Sequence, residues 1–187
     1  FDQARVVAST LIGTANRVLD NHRFTTLFID EAAQALEAAC WVAISKADRV
    51  ILAGDHHQLP PTIKCMEAAK EGLSETLMQK VAARKPSTVS MLKVQYRMHE
   101  DIMGFSSAWF YNNELKAAPE VKNRGILAYD TPLVWYNTDG CDFREDQQAE
   151  SLSKINKEEA HLLIDRLYKY ISKIGRDRVL DEQIDFG

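Results

Sequence analysis

Short apolar runs that lack polar alternation, and that stop abruptly in polar clusters, constrain this chain more than any other feature. Thr25-Thr26-Leu27-Phe28-Ile29 stops at Asp30-Glu31, and Arg49-Val50-Ile51-Leu52-Ala53 stops at Gly54-Asp55-His56-His57-Gln58. A strand with one wet face alternates polar and apolar side chains, whereas a run apolar throughout suits a strand covered on both faces, as in a parallel sheet between helices. Four strands are expected on this basis, over Arg5–Thr10, Thr25–Asp30, Arg49–Gly54 and Met91–Arg97. Between the second and third, Ala32 to Lys46 carries Leu36, Ala39, Cys40 and Ala43 at helical spacing. Between the third and fourth, Leu73, Leu77 and Val81 recur every four residues. Strands alternating with helices predict an α/β class, a parallel sheet with flanking helices.

Beyond Arg97 the spacing predicts a helix from about His99 to Tyr111 that buries Ile102, Phe105, Trp109 and Phe110. Residues Asn112 to Thr131 read as irregular, Leu133–Asn137 as a strand, and the polar stretch Gly140 to Lys154 as a mobile surface loop. Asn156 with Glu159 three residues later opens a helix in capping-box fashion, with Leu163, Leu167, Ile171 and Ile174 as its buried stripe. Trp109, Phe110 and Tyr111 are expected to pack in the core, and Cys40 and Cys65 to serve as buried small hydrophobes.

Composition narrows the class further. With 45% hydrophobic and 27% charged residues, the 187-residue chain excludes disordered, collagen-like and coiled-coil architectures. Its longest apolar stretch, Ala38 to Ile44, is too short for a membrane-spanning helix, and no membrane partner is expected. Three cysteines far apart in sequence favour a reducing compartment over a disulfide framework, and an intracellular, cytoplasmic setting is expected, or a nuclear one in a eukaryote. Residues 1–92 hold ten basic and ten acidic side chains, and residues 93–187 hold thirteen and seventeen, so the whole net charge of −4 lies in the second part. A pI near 5.8 argues against a generally basic nucleic-acid binder while leaving room for a local groove. The chain begins at Phe1 and ends in a strand-like Gln183–Gly187, which reads as an excised piece of a larger protein.

In an open parallel sheet, ligands bind beyond the carboxyl ends of the strands. Asp30-Glu31, Gly54 to Thr62, and Gln95-Tyr96-Arg97-Met98-His99 all fall at such ends. The set suits phosphoryl transfer. A strand-end Asp can hold a hard divalent cation, a neighbouring Glu can orient or deprotonate water, and a Gln and an Arg can meet the γ-phosphate. His56 and His57 lack the spacing of a metal pair.

These residues carry a family resemblance. Leu27-Phe28-Ile29-Asp30-Glu31-Ala32-Ala33-Gln34 resembles motif II (Walker B) of superfamily 1 helicases, and Leu52 to Thr62 resembles their motif III. Gln95-Tyr96-Arg97-Met98-His99 resembles the motif opening their second RecA-like domain. Val7-Ala8-Ser9-Thr10 with Gly13 is similar to a nucleic-acid-contacting motif before motif II. The likeness is to the 5′-to-3′ branch that includes the nonsense-mediated-decay and immunoglobulin-mu-binding-protein helicases, dense over residues 5–115 and thin beyond.

The resemblance implies a P-loop NTPase (RecA-like) fold, with residues 1–92 ending the first lobe and 93–187 beginning the second. It implies ATP and Mg²⁺ as cofactors and single-stranded DNA or RNA as partner. Asp30 would hold Mg²⁺, Glu31 act as base, and Gln58 sense the γ-phosphate. Tyr96 would stack near adenine and Arg97 serve as arginine finger. Thr10, Pro60, Pro61 and Thr62 would line the strand-binding face, where backbone contacts dominate. Pro60-Pro61 equally suits a loop ended by fixed backbone angles.

A phosphate-binding G-x-x-x-x-G-K-[ST] loop is missing, since no glycine precedes a lysine. The chain alone is therefore expected not to hydrolyse ATP, and to associate or lose stability through an exposed sheet edge. A metal-dependent nuclease using Asp30, Glu31 and Asp55, or a non-catalytic nucleic-acid-binding module, are the alternatives.

Overall fold

The computed structural model describes residues 3–127, 130–148, 153–184 and 186. The chain forms two compact units, Phe1–Met91 and Leu92–Gly187.

In the first unit, β1 (Leu27–Ile29) is followed by a 3₁₀ turn at Ala32–Gln34 and by α1 (Glu37–Ile44), and β2 (Val50–Leu52) returns beside β1. The pair is parallel, with Leu27 opposite Val50, Phe28 opposite Ile51 and Ile29 opposite Leu52. A long loop leads to α2 (Met66–Ala68), a wider π turn at Ala69–Leu73, and α3 (Leu77–Arg84). The helix expected over 32–46 is divided because Ala35 and Leu36 take extended backbone angles, ψ 133° and 136°, between the 3₁₀ turn and α1. The helix expected around Leu73 and Leu77 is divided too. Gly72 takes φ 104°, and Thr76 starts α3 with a capping box, its hydroxyl accepting from the Gln79 N–H while the Gln79 side chain accepts from the Thr76 N–H.

Ile29, Ala32, Cys40 and Leu77 form the buried cluster, with Leu11, Leu52 and Met78 packed against it. An ion pair at 2.6 Å between Lys80 of α3 and Glu37 of α1 ties the two helices together and holds the Glu37 carboxyl below its usual range. The apolar runs predicted strands covered on both faces, yet Phe28 of β1 is 68% exposed, so one face of this pair is open. Arg5–Thr10 is not a strand; it has no ladder partner among the described residues, and Val6 is exposed.

In the second unit, β3 (Val94–Gln95) leads to α4 (Glu100–Phe110), β4 (Lys116–Ala117) and α5 (Pro119–Lys122). β5 (Asp146–Gln147) and β6 (Lys154–Ile155) follow, then α6 (Lys157–Ile174) and α7 (Arg176–Asp181). β3 runs parallel to β4, and β5 antiparallel to β6. The strand expected over Met91–Arg97 is thus two residues long, and the stretch expected to be irregular holds β4 and α5. Within Gly140–Lys154, expected as a loop, β5 and the start of β6 pair, while residues 149–152 lie outside the described residues. Leu133–Asn137 does not form a strand, and Trp135 is 87% exposed. Of the strand expected at Gln183–Gly187, residues 185 and 187 lie outside the described residues and the rest is not a strand.

α4 presents a different face from the one its apolar spacing suggests. It buries Met103 and Ser107, while Ile102, Phe105, Trp109 (74%) and Phe110 are exposed. The Ser107 hydroxyl donates to the Leu115 carbonyl at 2.9 Å, so the small residue lies where the chain leading to β4 approaches. The Asn156 cap on α6 forms as expected, accepting from the Glu159 N–H at 3.1 Å. Ile174 is buried, but Leu163 is 68% exposed. Cys40 is buried as expected, whereas Cys65 is exposed.

Candidate functional site

Parallel pairing of β1 with β2 brings two of the polar clusters to one edge of the first unit. The Ala53 N–H donates to the Ile29 carbonyl at 2.9 Å, and the Ala53 carbonyl accepts from Ala32, so the chain leaves β1 at Asp30 beside the point where it leaves β2 at Gly54. The approach is close, and Gly54 takes φ 158°, so glycine is favoured there. A Cβ at Gly54 would lie 3.0 Å from the backbone nitrogens of both Ala32 and Ala33 and 3.2 Å from the Met78 Sδ.

Glu31 occupies the left-handed region, φ 51° and ψ 37°. That conformation costs a side-chain-bearing residue roughly 1–2 kcal/mol, and such strain concentrates where function requires a particular backbone. The turn is supported locally. Asp30 Oδ1 accepts from the Glu31 N–H at 3.0 Å, and Gln34 Nε2 reaches Glu31 Oε2 at 3.5 Å. After β2, Asp55 organises the next turn, Oδ1 accepting from the His57 N–H and Oδ2 from Gln58 Nε2, both at 3.0 Å. Asp30, Glu31 and Gln58 are all exposed, so their side chains stand free of the core on a backbone set by the strand pair.

The donor set fits a hard cation. Asp30 and Glu31 supply carboxylate oxygens, the ligands Mg²⁺ prefers, and Mg²⁺ is commonly held by one or two carboxylates with phosphate and water completing its shell. Among the described residues no three His, Cys, Asp or Glu side chains gather into a group able to hold a metal, and Asp30, Glu31 and Asp55 do not form one.

Of the residues expected at a nucleic-acid face, Thr10, Pro60 and Thr62 are exposed and Pro61 is buried. The Thr10 hydroxyl accepts from the Gly13 N–H at 3.0 Å, closing the turn that enters the Ile12–Ala15 3₁₀ segment. Tyr96 and Arg97 belong to the second unit, both exposed on the turn that follows β3.

The sequence places Gln95 in the strand-end cluster but gives no sign of the bracing role its side chain and Arg124 take in this turn. The Gln95 side chain bonds to the backbone of Arg97 and Met98, and Arg124 Nη1 donates to the Arg97 carbonyl at 3.3 Å. Thr76 and Gln79, by contrast, spell the T-x-x-Q pattern of a capping box in plain view. Elsewhere in the second unit, Asp130 accepts from Tyr170 and pairs with Lys173 at 3.3 Å. Burial, then the bond to Asp130, pushes the Tyr170 hydroxyl up to about 12, and the same bond holds the Asp130 carboxyl below its usual range.

Two family models, each described as an AAA domain, match residues 1–66 and 73–184. The DNA-binding protein SMUBP-2 of Rattus norvegicus is 38% identical over 174 residues, covering 86% of this chain and 18% of that protein. An uncharacterized ATP-dependent helicase of Methanocaldococcus jannaschii is 34% identical over 184 residues, covering 90% of this chain and 27% of the relative. The DNA polymerase alpha-associated DNA helicase A of Schizosaccharomyces pombe is 35% identical over 175 residues, covering 86% and 26%. The chain therefore spans about a fifth to a quarter of the length of these relatives. Among the described residues no helix is long and apolar enough to cross a membrane.

Proposed function

On the premise that the chain belongs to the AAA-domain family of P-loop ATPases, in its superfamily 1 helicase branch, we propose that it forms part of an ATP-driven motor that moves on single-stranded DNA or RNA. In this reading residues 1–92 and 93–187 are portions of two tandem RecA-like lobes. The observation that carries it is the β1–β2 pairing, which sets Asp30-Glu31 and the Gly54–Gln58 turn at one sheet edge with Glu31 held in a left-handed conformation.

Asp30 would hold Mg²⁺, directly or through water, and Glu31 would orient the attacking water and take its proton. Bound Mg²⁺ supplies charge neutralisation at the phosphate oxygens. Gln58, steadied by Asp55, meets the γ-phosphate and relays its presence to the nucleic-acid face. Tyr96 stacks near the adenine, and Arg97 offsets the charge that develops on the transferred phosphoryl group. Thr10, Pro60 and Thr62 line the strand-binding face, where contacts to the nucleic-acid backbone do not read sequence. For Pro61, which is buried, the contribution is to the shape of the loop. The chain by itself carries no G-x-x-x-x-G-K-[ST] loop, so we expect it to turn over no ATP when isolated.

The test is Glu31→Gln in the full-length protein. Removing a general base costs about 10²- to 10⁴-fold in turnover, while nucleotide binding, followed by a fluorescent ATP analogue, is expected to persist. A Glu31→Gln protein that hydrolyses ATP at the unsubstituted rate overturns the proposal.

A further inference from the structure

β3 ends at Gln95, whose carbonyl accepts from the Ala118 N–H at 2.9 Å, so its main chain is tied to the strand beside it. Its side chain then bonds forward. Oε1 accepts from the Arg97 N–H at 2.7 Å and the Met98 N–H at 2.9 Å, and Nε2 donates to the Met98 carbonyl at 2.7 Å. The Arg97 carbonyl accepts from Arg124 Nη1 at 3.3 Å. Both polar groups of the Arg97 main chain are thereby held, while its guanidinium stays exposed.

From this geometry we propose that Gln95 is the positioning residue for Arg97, an inference that rests on the reading of Arg97 given above. A half-buried amide is the side chain suited to the task. It offers an acceptor to two N–H groups and a donor to one carbonyl at the same time. Glutamate lacks the donor, and asparagine is one methylene shorter. Bracing the turn orders the backbone in advance, leaving only the Arg97 side chain to order when charge develops at the phosphate.

The test is a double-mutant cycle in the full-length protein, with ATP turnover and thermal melting measured for Gln95→Ala, Gln95→Glu, Arg97→Ala and Gln95→Ala with Arg97→Ala. Misplacing a group by about 1 Å can cost on the order of 10²-fold, so Gln95→Ala is expected to lower kcat by about 10- to 10²-fold with KM for ATP unchanged. In the Arg97→Ala background the same change is expected to have no further effect. Gln95→Glu, which keeps both acceptor contacts, is expected to fall between Gln95→Ala and the unsubstituted protein; it decides the matter by its own kcat, at unchanged KM, should Gln95→Ala not fold.

Effects of Gln95→Ala and Arg97→Ala that multiply, or unsubstituted kcat in Gln95→Ala or Gln95→Glu, overturn the inference while leaving Arg97's role intact. Unsubstituted turnover in Arg97→Ala overturns the role of Arg97 and the inference with it.

Discussion

In the first unit the exposed carboxylates stand where two parallel strands end, and the main chain does the positioning: Ala53 bonds to Ile29 on one side and Ala32 on the other. In the second unit Arg97 stands on a turn after a strand of only two residues, and side chains do the positioning, Gln95 from within and Arg124 from beyond α5. A main-chain ladder tolerates most side-chain changes, and an added atom at Gly54 is where it is crowded. A side-chain brace tolerates backbone neighbours but depends on one amide.

Three measurements probe this difference, in decreasing order of expected effect. Arg97→Ala in the full-length protein is expected to lower ATP turnover by about 10³-fold or more, the scale of a lost arginine finger, with the melting temperature unchanged because the guanidinium is exposed. A matching fall in melting temperature would mean that Arg97 supports the turn instead of the chemistry.

Gly54→Ala acts on the ladder. Its methyl meets two backbone nitrogens at 3.0 Å, and overpacking of this kind costs about 1–3 kcal/mol. Lower melting is expected together with slower turnover, since Asp30 and Glu31 ride on the segment that must shift. Unchanged melting would show that the turn after β1 yields easily and is not held by the pairing.

Tyr170→Phe, in the second unit, gives the smallest effect. In the folded chain Tyr170 keeps its proton to about pH 12, whereas an unfolded tyrosine loses it near its ordinary value of about 10. The group's contribution to stability is therefore full below pH 10 and lost as pH rises through 12. Melting of the substituted protein is expected to lack that decline, with turnover near neutral pH unchanged. Asp130, whose carboxyl the Tyr170 bond holds low, also stabilises the fold but with the opposite pH dependence. Its stabilisation is present above the ordinary carboxylate range and fades as pH falls through its lowered value, and Tyr170→Phe is expected to blunt that acid-side loss as well.

Much of the local architecture is legible in the residues. Thr25–Asp30 and Arg49–Gly54 contain β1 and β2, the segment from His99 to Tyr111 contains α4, and Asn156 caps α6. Each signal involves neighbours within about a turn, so the chain encodes it without reference to the fold. The misreadings share one cause. Helical spacing groups Ile102, Phe105 and Trp109 on one face without saying whether anything covers it, and here Met103 and Ser107 face inward. Leu133–Asn137 has strand-forming residues, but a strand exists only when another accepts its hydrogen bonds. The candidate site divides the same way. Asp30, Glu31, Gln58 and Arg97 stand out by type and by position after apolar runs, while the support from Asp55, Gln95 and Arg124 depends on how turns close.

By itself, the sequence determined the order of apolar runs and polar clusters, the helix caps, and which reactive side chains follow which strand, because these are matters of nearest-neighbour spacing. Only the tertiary structure decided that Glu31 turns left-handed, that a side chain at Gly54 would crowd the backbone of Ala32 and Ala33, and that Gln95 and Arg124 close on Arg97 from two sides. The approach of Gly54 to Ala32 and Ala33 and of Arg124 to Arg97 arises where segments separated in sequence meet, at distances set by packing, whereas the Glu31 and Gln95 turns close through near neighbours in geometries that residue type alone does not specify.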